Sequence, residues 1–442
     1  MKRKFLILVF PVLLLLFSSC VSSVNLDEAF YLYGRNDFEG TKVFLEKNQK
    51  VLISRQGELI KDLDFGLVNH ASGDFNESNK YLEEAEEEFD RLYTQSVTRN
   101  IASFIVNDNT QEYQGQDWES IYSNVFKSLN YYFLDSLEDA MVEVRKSIEK
   151  QTNLVSSYPK MEQALNESYS SNNVSPPQNI KQNFCISALS QYLSMLFSYE
   201  YKDENTFRYS SQKLEEAYNL QSDLYPFTPP QSIEILRNAD NKTILANFLI
   251  FTGNAPIKIE ENEIYRYSDS NGNDRLIHYS FPTADVRLSL IKKIEINLEG
   301  INNYHFFLEP IERLDLIALD TMKTEIAYDK LKAISRVIGK NLLSNGLRVS
   351  ASNSGNSSSS DSLELIADLF DIFNFVSERA DVRGSHFFPS TAWIGLEAVE
   401  KGYYKATIKY YDINNKVITT QIKDNYNPVA GKANLLEAFL PK

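Results

Sequence analysis

One spacing recurs four times in the first half of the chain, and it limits what this chain can fold into more than any other feature. A small residue (Ala29, Gly66, Ser128, Ser198) is followed nine positions on by a large or apolar one (Phe38, Phe75, Leu137, Phe207). A short residue comes three further on (Thr41, Ser78, Ala140, Ser210), and an aliphatic anchor four beyond that (Leu45, Leu82, Val144, Leu214). Small side chains at these positions let two helices approach closely across a turn, which is the logic of a helix–turn–helix repeat of tetratricopeptide type. The copies are 37, 62 and 70 residues apart, so extra helices or loops interrupt the array.

Turn chemistry supports the hairpins. Gly34-Arg35-Asn36-Asp37 and Ser72-Gly73-Asp74 place Gly, Asn and Asp where turn dihedrals are needed, with Asp37 at an N-cap position. In the second copy Tyr81, Leu82, Ala85, Phe89 and Leu92 fall on one helical face, and Glu83, Glu84, Glu86, Glu87 and Glu88 read as a solvated face. Asp117 is expected to cap a helix opening at Trp118, residues 168–182 to form a loop, and Cys185 to lie as a buried thiol in an apolar helix over 184–196. The α-helical repeat domain spans 26–240 on this reading.

Beyond 240 the period changes to short β-like runs at Phe248–Phe251, Pro256–Ile259, Leu276–Phe281 and Lys293–Leu298. A long helix is expected over roughly 309–343, closing a β-rich segment of 245–343. Ser, Asn and Gly dominate 344–362, which reads as a disordered linker. The last segment, 363–442, opens with an apolar helix over 363–378 and continues with strands at Ala392–Ala398, Tyr404–Tyr410 and Val417–Ile422. The fold class expected is therefore α+β: an interrupted helical-hairpin array followed by a small antiparallel sheet or sandwich with one long helix.

The N-terminus is a targeting segment on this reading. Lys2, Arg3 and Lys4 precede an apolar run, Phe5–Phe17, too short to span a bilayer. Ser18-Ser19-Cys20 follows, which looks like a bacterial lipoprotein signal over 1–19, with Cys20 acylated and 20–25 as the tether. Several acyl chains give stable anchoring. Val21 and Ser22 after the cysteine favour the outer membrane. With a net charge of −15 and no basic patch, a nucleic-acid partner is excluded.

No catalytic motif stands out. The four histidines (His70, His278, His305, His386) lack metal-ligand spacing, and no nucleophile elbow, phosphate-binding loop or dinucleotide fingerprint occurs. Neither a cofactor nor a metal is expected. The stretch best placed to bind is the polar junction 107–117, with Asn107, Asp108, Asn109, Tyr113 and Asp117 at a hairpin boundary.

Several short motifs resemble a family of bacterial envelope lipoproteins with tetratricopeptide-like repeats and no assigned activity. They are Phe65-Gly66 with Phe75-x-x-Ser78-Asn79, Asn107-Asp108-Asn109 with Tyr113-x-Gly115-x-Asp117, Lys127-Ser128-Leu129-Asn130-Tyr131 with Leu137-Glu138-Asp139-Ala140, Gly253-x-Ala255-Pro256-x-Lys258, and Ala380-Asp381-x-Arg383 with Pro389. After Arg383 the family pattern has an aromatic Ser-Trp step, whereas this chain has Gly384-Ser385-His386. The resemblance implies a cell-envelope lipoprotein. The function expected is binding of other envelope proteins through the repeat groove as a scaffold, without enzymatic activity; a cell-wall hydrolase using carboxylates of the β domain, or a carrier of lipid or another small ligand, are the alternatives.

Overall fold

The computed structural model describes residues 26–98, 112–171, 182–268, 274–323 and 380–442, together with 326–327, 329–330 and 333. Cys20, Asn107, Asp108 and Asn109 lie outside the described residues, as do the signal segment, the 344–362 linker and the 363–378 helix.

Eight helices form four consecutive hairpins: α1 (Asp27–Gly34) with α2 (Phe38–Gln56), α3 (Glu58–Ser72) with α4 (Phe75–Thr98), α5 (Asp117–Phe133) with α6 (Leu137–Ser171), and α7 (Ala188–Tyr201) with α8 (Glu204–Leu220). A short α9 (Gln231–Asn238) leads to the sheet. The close approaches fall where the small residues are. A methyl group on Gly66 would sit 2.5 Å from Leu82 Cδ2, and the Ser78 hydroxyl donates to the Gly66 carbonyl at 2.7 Å. Ser78, Ser128 and Ala140 are all fully buried. Gly73 closes α3 at φ 87°, a left-handed conformation that glycine adopts without strain.

The two helices of a hairpin have different roles. The second helices α2, α4 and α8 alternate buried and exposed positions. The first helices α3, α5 and α7 are buried over nearly their whole circumference, including Asp62, Asp64, Asn69 and His70 on α3. A helix buried all round must be covered on both sides. Here the second helices cover one side and the sheet covers the other.

That sheet has seven strands in the order β8-β7-β4-β5-β6-β1-β9, from β1 (Leu245–Thr252), β4 (Lys293–Glu299), β5 (Tyr304–Arg313), β6 (Thr391–Ala398), β7 (Tyr404–Tyr411), β8 (Val417–Tyr426) and β9 (Leu435–Leu440). Strands β2 (Ile257–Ser268) and β3 (Asp274–Asp285) form a separate hairpin. Strand β1 is buried on both faces. Its Leu245, Leu249 and Phe251 pack with the helices, while Ala246, Phe248 and Ile250 join a second core with Ile294, Ile296, Trp393, Tyr404 and Tyr410. The sheet curls around that second core until β8 meets β9 side chain to backbone: Gln421 Nε2 donates to the Phe439 carbonyl at 2.9 Å.

The fold is mixed α and β, and several finer expectations are corrected. All strand pairs are antiparallel except β1–β9, which is parallel, so the sheet is mixed. Residues 304–313 are strand, and helix starts only at Leu314. Pro310, which cannot continue a ladder, sits at a register shift between Pro310 and Glu312. Helix α6 continues to Ser171, beyond the start of the expected loop. Cys185 precedes α7, its N–H given to Gln221 Oε1 at 2.6 Å; the thiol is partly exposed, and burial pushes its pKa up. Among the described residues no helix is long and apolar enough to cross a membrane.

Candidate functional site

Tyr113 is the centre of a polar cluster built from three distant stretches. Its phenol donates to Glu119 Oε2 at 2.8 Å, the Gln116 N–H reaches the same oxygen at 2.9 Å, and the Ser385 N–H reaches Oε1 at 2.7 Å. Glu119 is fully buried. Desolvation raises its pKa, and these three donors offset only part of that rise. Gln116 is the N-cap of α5 and Glu119 completes the capping box, so the expected cap Asp117 is instead the first helical residue, and it is exposed. Gly115 brings the chain in at φ 77°, where an added methyl would meet Phe89 at 2.1 Å.

The Tyr113 ring lies 5.8 Å from Lys258 Nζ and 5.7 Å from Arg383 Cζ, within cation–π range of both. Arg383 grips Asp381 with two parallel hydrogen bonds of 2.8 and 2.7 Å. Burial works against the Asp381 charge, but Arg383 outweighs it and the carboxyl stays below its usual range. The motifs around 113–117, 253–258 and 380–383 therefore meet at one place.

Gly384-Ser385-His386 docks that place onto helix α3. Asp64 Oδ1 accepts from the Ser385 hydroxyl at 3.0 Å and the His386 N–H at 2.8 Å, and Oδ2 lies 2.6 Å from His386 Nδ1. Arg287 holds the far side, donating to the carbonyls of Ala255 at 2.6 Å and His386 at 3.1 Å; burial brings its guanidinium down to about 10. An imidazole oriented by a carboxylate is the geometry of a general base. Yet the Ser385 hydroxyl spends its proton on Asp64 and not on His386, so nucleophile and base are not coupled. What these bonds do is fasten the hairpin array to the chain leading into β6.

A second polar group sits at an open cleft. The cleft encloses about 430 Å³ between the α3–α4 turn, Phe133 of α5, and strands β8 and β9. Phe75 and Phe133 stack at 4.9 Å along one wall. At its floor His70 Nε2 meets Glu437 at 3.0 Å, and His70 Nδ1 lies 2.6 Å from Asn130 Oδ1. The Ser78 proton is committed to Gly66, so Asn130 Nδ2 must donate to Ser78 Oγ at 2.8 Å, which leaves Oδ1 to accept from His70 Nδ1–H. A concave, partly apolar space with a few convergent polar groups is the usual form of a binding site.

Two further buried charge groups are structural. Lys127, with no side-chain exposure, meets Glu83, Glu86 at 2.6 Å and Glu143 at 3.4 Å between the second and third hairpins. Glu312 on β5 caps the start of α7, accepting from Ser187 Oγ at 2.7 Å and Leu189 N at 2.8 Å; full burial raises its carboxyl to about 7.

Of the predicted site residues within the described range, Tyr113 belongs to the polar cluster and Asp117 faces solvent beside it. Asp64, Glu119, His70 and Glu437 were not foreseen. Glu437 stands alone as a charged residue in the apolar strand β9, whereas Asp64, His70 and Glu119 lie on helices with other polar residues and carry no such mark. No group of three or more side chains able to hold a metal occurs among the described residues. Comparison of the chain with protein-family models, with curated proteins and with solved structures finds no match.

Proposed function

We propose that the chain is a lipid-anchored cell-envelope protein, tethered at the outer membrane through acylated Cys20, which binds other envelope proteins as a non-enzymatic adaptor. In this reading the four hairpins are a tetratricopeptide-like array whose inner face is filled by the chain's own sheet. The partner then binds at the rim, where array and sheet leave the cleft beside Phe75, Phe133 and Lys423. The observation that carries the reading is that cleft: aromatic walls, a polar floor and an exposed lysine at its edge.

Mild crosslinking of intact membranes and recovery of the protein tests it. A reproducible partner is expected, with recovery cut severalfold by Lys423→Glu, a change at an exposed position that leaves the fold intact. No reproducible partner, or recovery indifferent to K423E, counts against the reading. The anchor has its own test: Cys20→Ala abolishes acyl labelling, and unchanged labelling refutes lipidation.

A further inference from the structure

The two edge strands of the curled sheet, β8 and β9, face one another across the cleft without pairing. The outer edge of β9 can be read residue by residue. The Leu440 carbonyl accepts from Gly253 N at 3.0 Å, so the even-numbered residues of β9 turn their backbone groups toward β1. The odd-numbered ones turn outward, into the seam, since both groups of a residue in a parallel strand point the same way. At the two ends these outward groups are satisfied by side chains. Leu435 N–H donates to Tyr132 Oη at 3.2 Å, and the Phe439 carbonyl accepts from Gln421 Nε2 at 2.9 Å and Asn36 Nδ2 at 3.3 Å. Between them the Leu435 carbonyl, both groups of Glu437 and the Phe439 N–H have no hydrogen-bond partner among the described residues. Gln421 stands where the amide of a neighbouring strand would stand.

We propose that this seam takes one extended segment of a partner protein, paired through its main chain to the outer edge of β9. The inference rests on the reading of the cleft as the partner site and adds the form of what binds. Unpaired donors and acceptors alternating along a strand edge select another main chain rather than a side chain or a small apolar molecule. From Leu435 to Phe439 the edge is roughly 13 Å long, enough for about four residues of incoming strand. Alternate side chains of that segment would face opposite sides. One would enter beside the stacked Phe75 and Phe133 rings. The exposed Lys423 on β8, which meets no carboxylate among the described residues, favours an acidic residue next in line.

The experiment is amide hydrogen exchange on the purified full chain with a defined probe: a seven-residue peptide of alternating Val and Thr with a central Phe and a terminal Asp. Its controls are the same peptide N-methylated at alternate residues, in each of the two frames. With the plain peptide, exchange at Glu437 and Phe439 is expected to slow at least tenfold, while Leu436 and Ala438, already paired to β1, are unaffected. One frame of N-methylation should abolish the effect. No slowing, or equal slowing by the plain and both methylated peptides, overturns strand pairing. The two readings fail separately. Edge protection by peptide without any partner from membranes removes the adaptor and keeps the strand site. A partner lost on K423E without edge protection keeps the adaptor and removes the strand.

Discussion

Replacing Lys127 with methionine tests how the hairpins are held together. The ammonium has no side-chain exposure and lies against Glu83, Glu86 and Glu143, while Asn124 Nδ2 also donates to Glu86 at 3.1 Å and Glu143 at 2.6 Å. Burial works against the Glu86 charge, yet Lys150 and Lys127 hold its carboxyl down at about 2. Taking one partner from a buried ion pair costs about 3–5 kcal/mol, because the other charge stays desolvated and uncompensated. Lys146 and Lys150 remain within 3.2 and 3.3 Å of Glu86, so the lower end, about 3 kcal/mol, is expected. Urea unfolding followed by tryptophan fluorescence measures it. Adding Glu86→Gln and Glu143→Gln to Lys127→Met removes the stranded carboxylates but takes partners from Lys146 and Lys150, so it should restore only part of the loss. A single-variant cost under about 1 kcal/mol, or a triple variant no more stable than the single, would refute the reasoning.

Three other outcomes follow from the same geometry. Glu312 is an acid whose folded pKa lies above its unfolded value, so its stabilising effect is complete below the ordinary carboxylate range and is lost as pH rises through about 7. Relative to Glu312→Gln, the wild type should therefore lose about 2.5 kcal/mol between pH 5 and pH 8 in urea titrations, and a pH-independent difference would contradict this. Gly115→Ala combines a strained left-handed backbone with a methyl 2.1 Å from Phe89, so a loss of about 2–4 kcal/mol is expected in the same assay. Tyr113→Phe removes one of three donors to the buried Glu119 and should cost about 1–3 kcal/mol, with Gln116 and Ser385 still in place.

The parts of the fold legible in the sequence are those set by local pattern. Gly66 against Leu82 and Ser78 against the Gly66 carbonyl could be read from spacing, because a small residue has a meaning wherever two helices cross. Strand β7 was legible for the same reason: Tyr404, Ala406, Ile408 and Tyr410 are buried and alternate with less buried neighbours. Non-local partners were not. Strand β5 carries Pro310 and the buried Glu312, which look helical or solvent-facing until Ser187 and Leu189 are known to lie beside them. Strand β9 is six residues long and pairs in parallel with a strand almost two hundred residues earlier, a relation that leaves no local mark. The site was half legible for that reason. Tyr113 stood out as a polar junction residue, but the group that completes it, Glu119, is buried and satisfied by Ser385 from the far end of the chain.

The inner face of the hairpin array is covered by the chain's own sheet, and Trp118 reports on that cover directly. This indole lies on α5, 1% exposed, with its ring 4.9 Å from Phe388 in the segment leading into β6. With Trp393→Phe making it the sole tryptophan, its emission is expected to be blue-shifted and nearly inaccessible to acrylamide, and Phe388→Ala should open it to quenching. Red-shifted emission that acrylamide quenches freely in the Trp393→Phe protein would mean that the sheet does not cover the array.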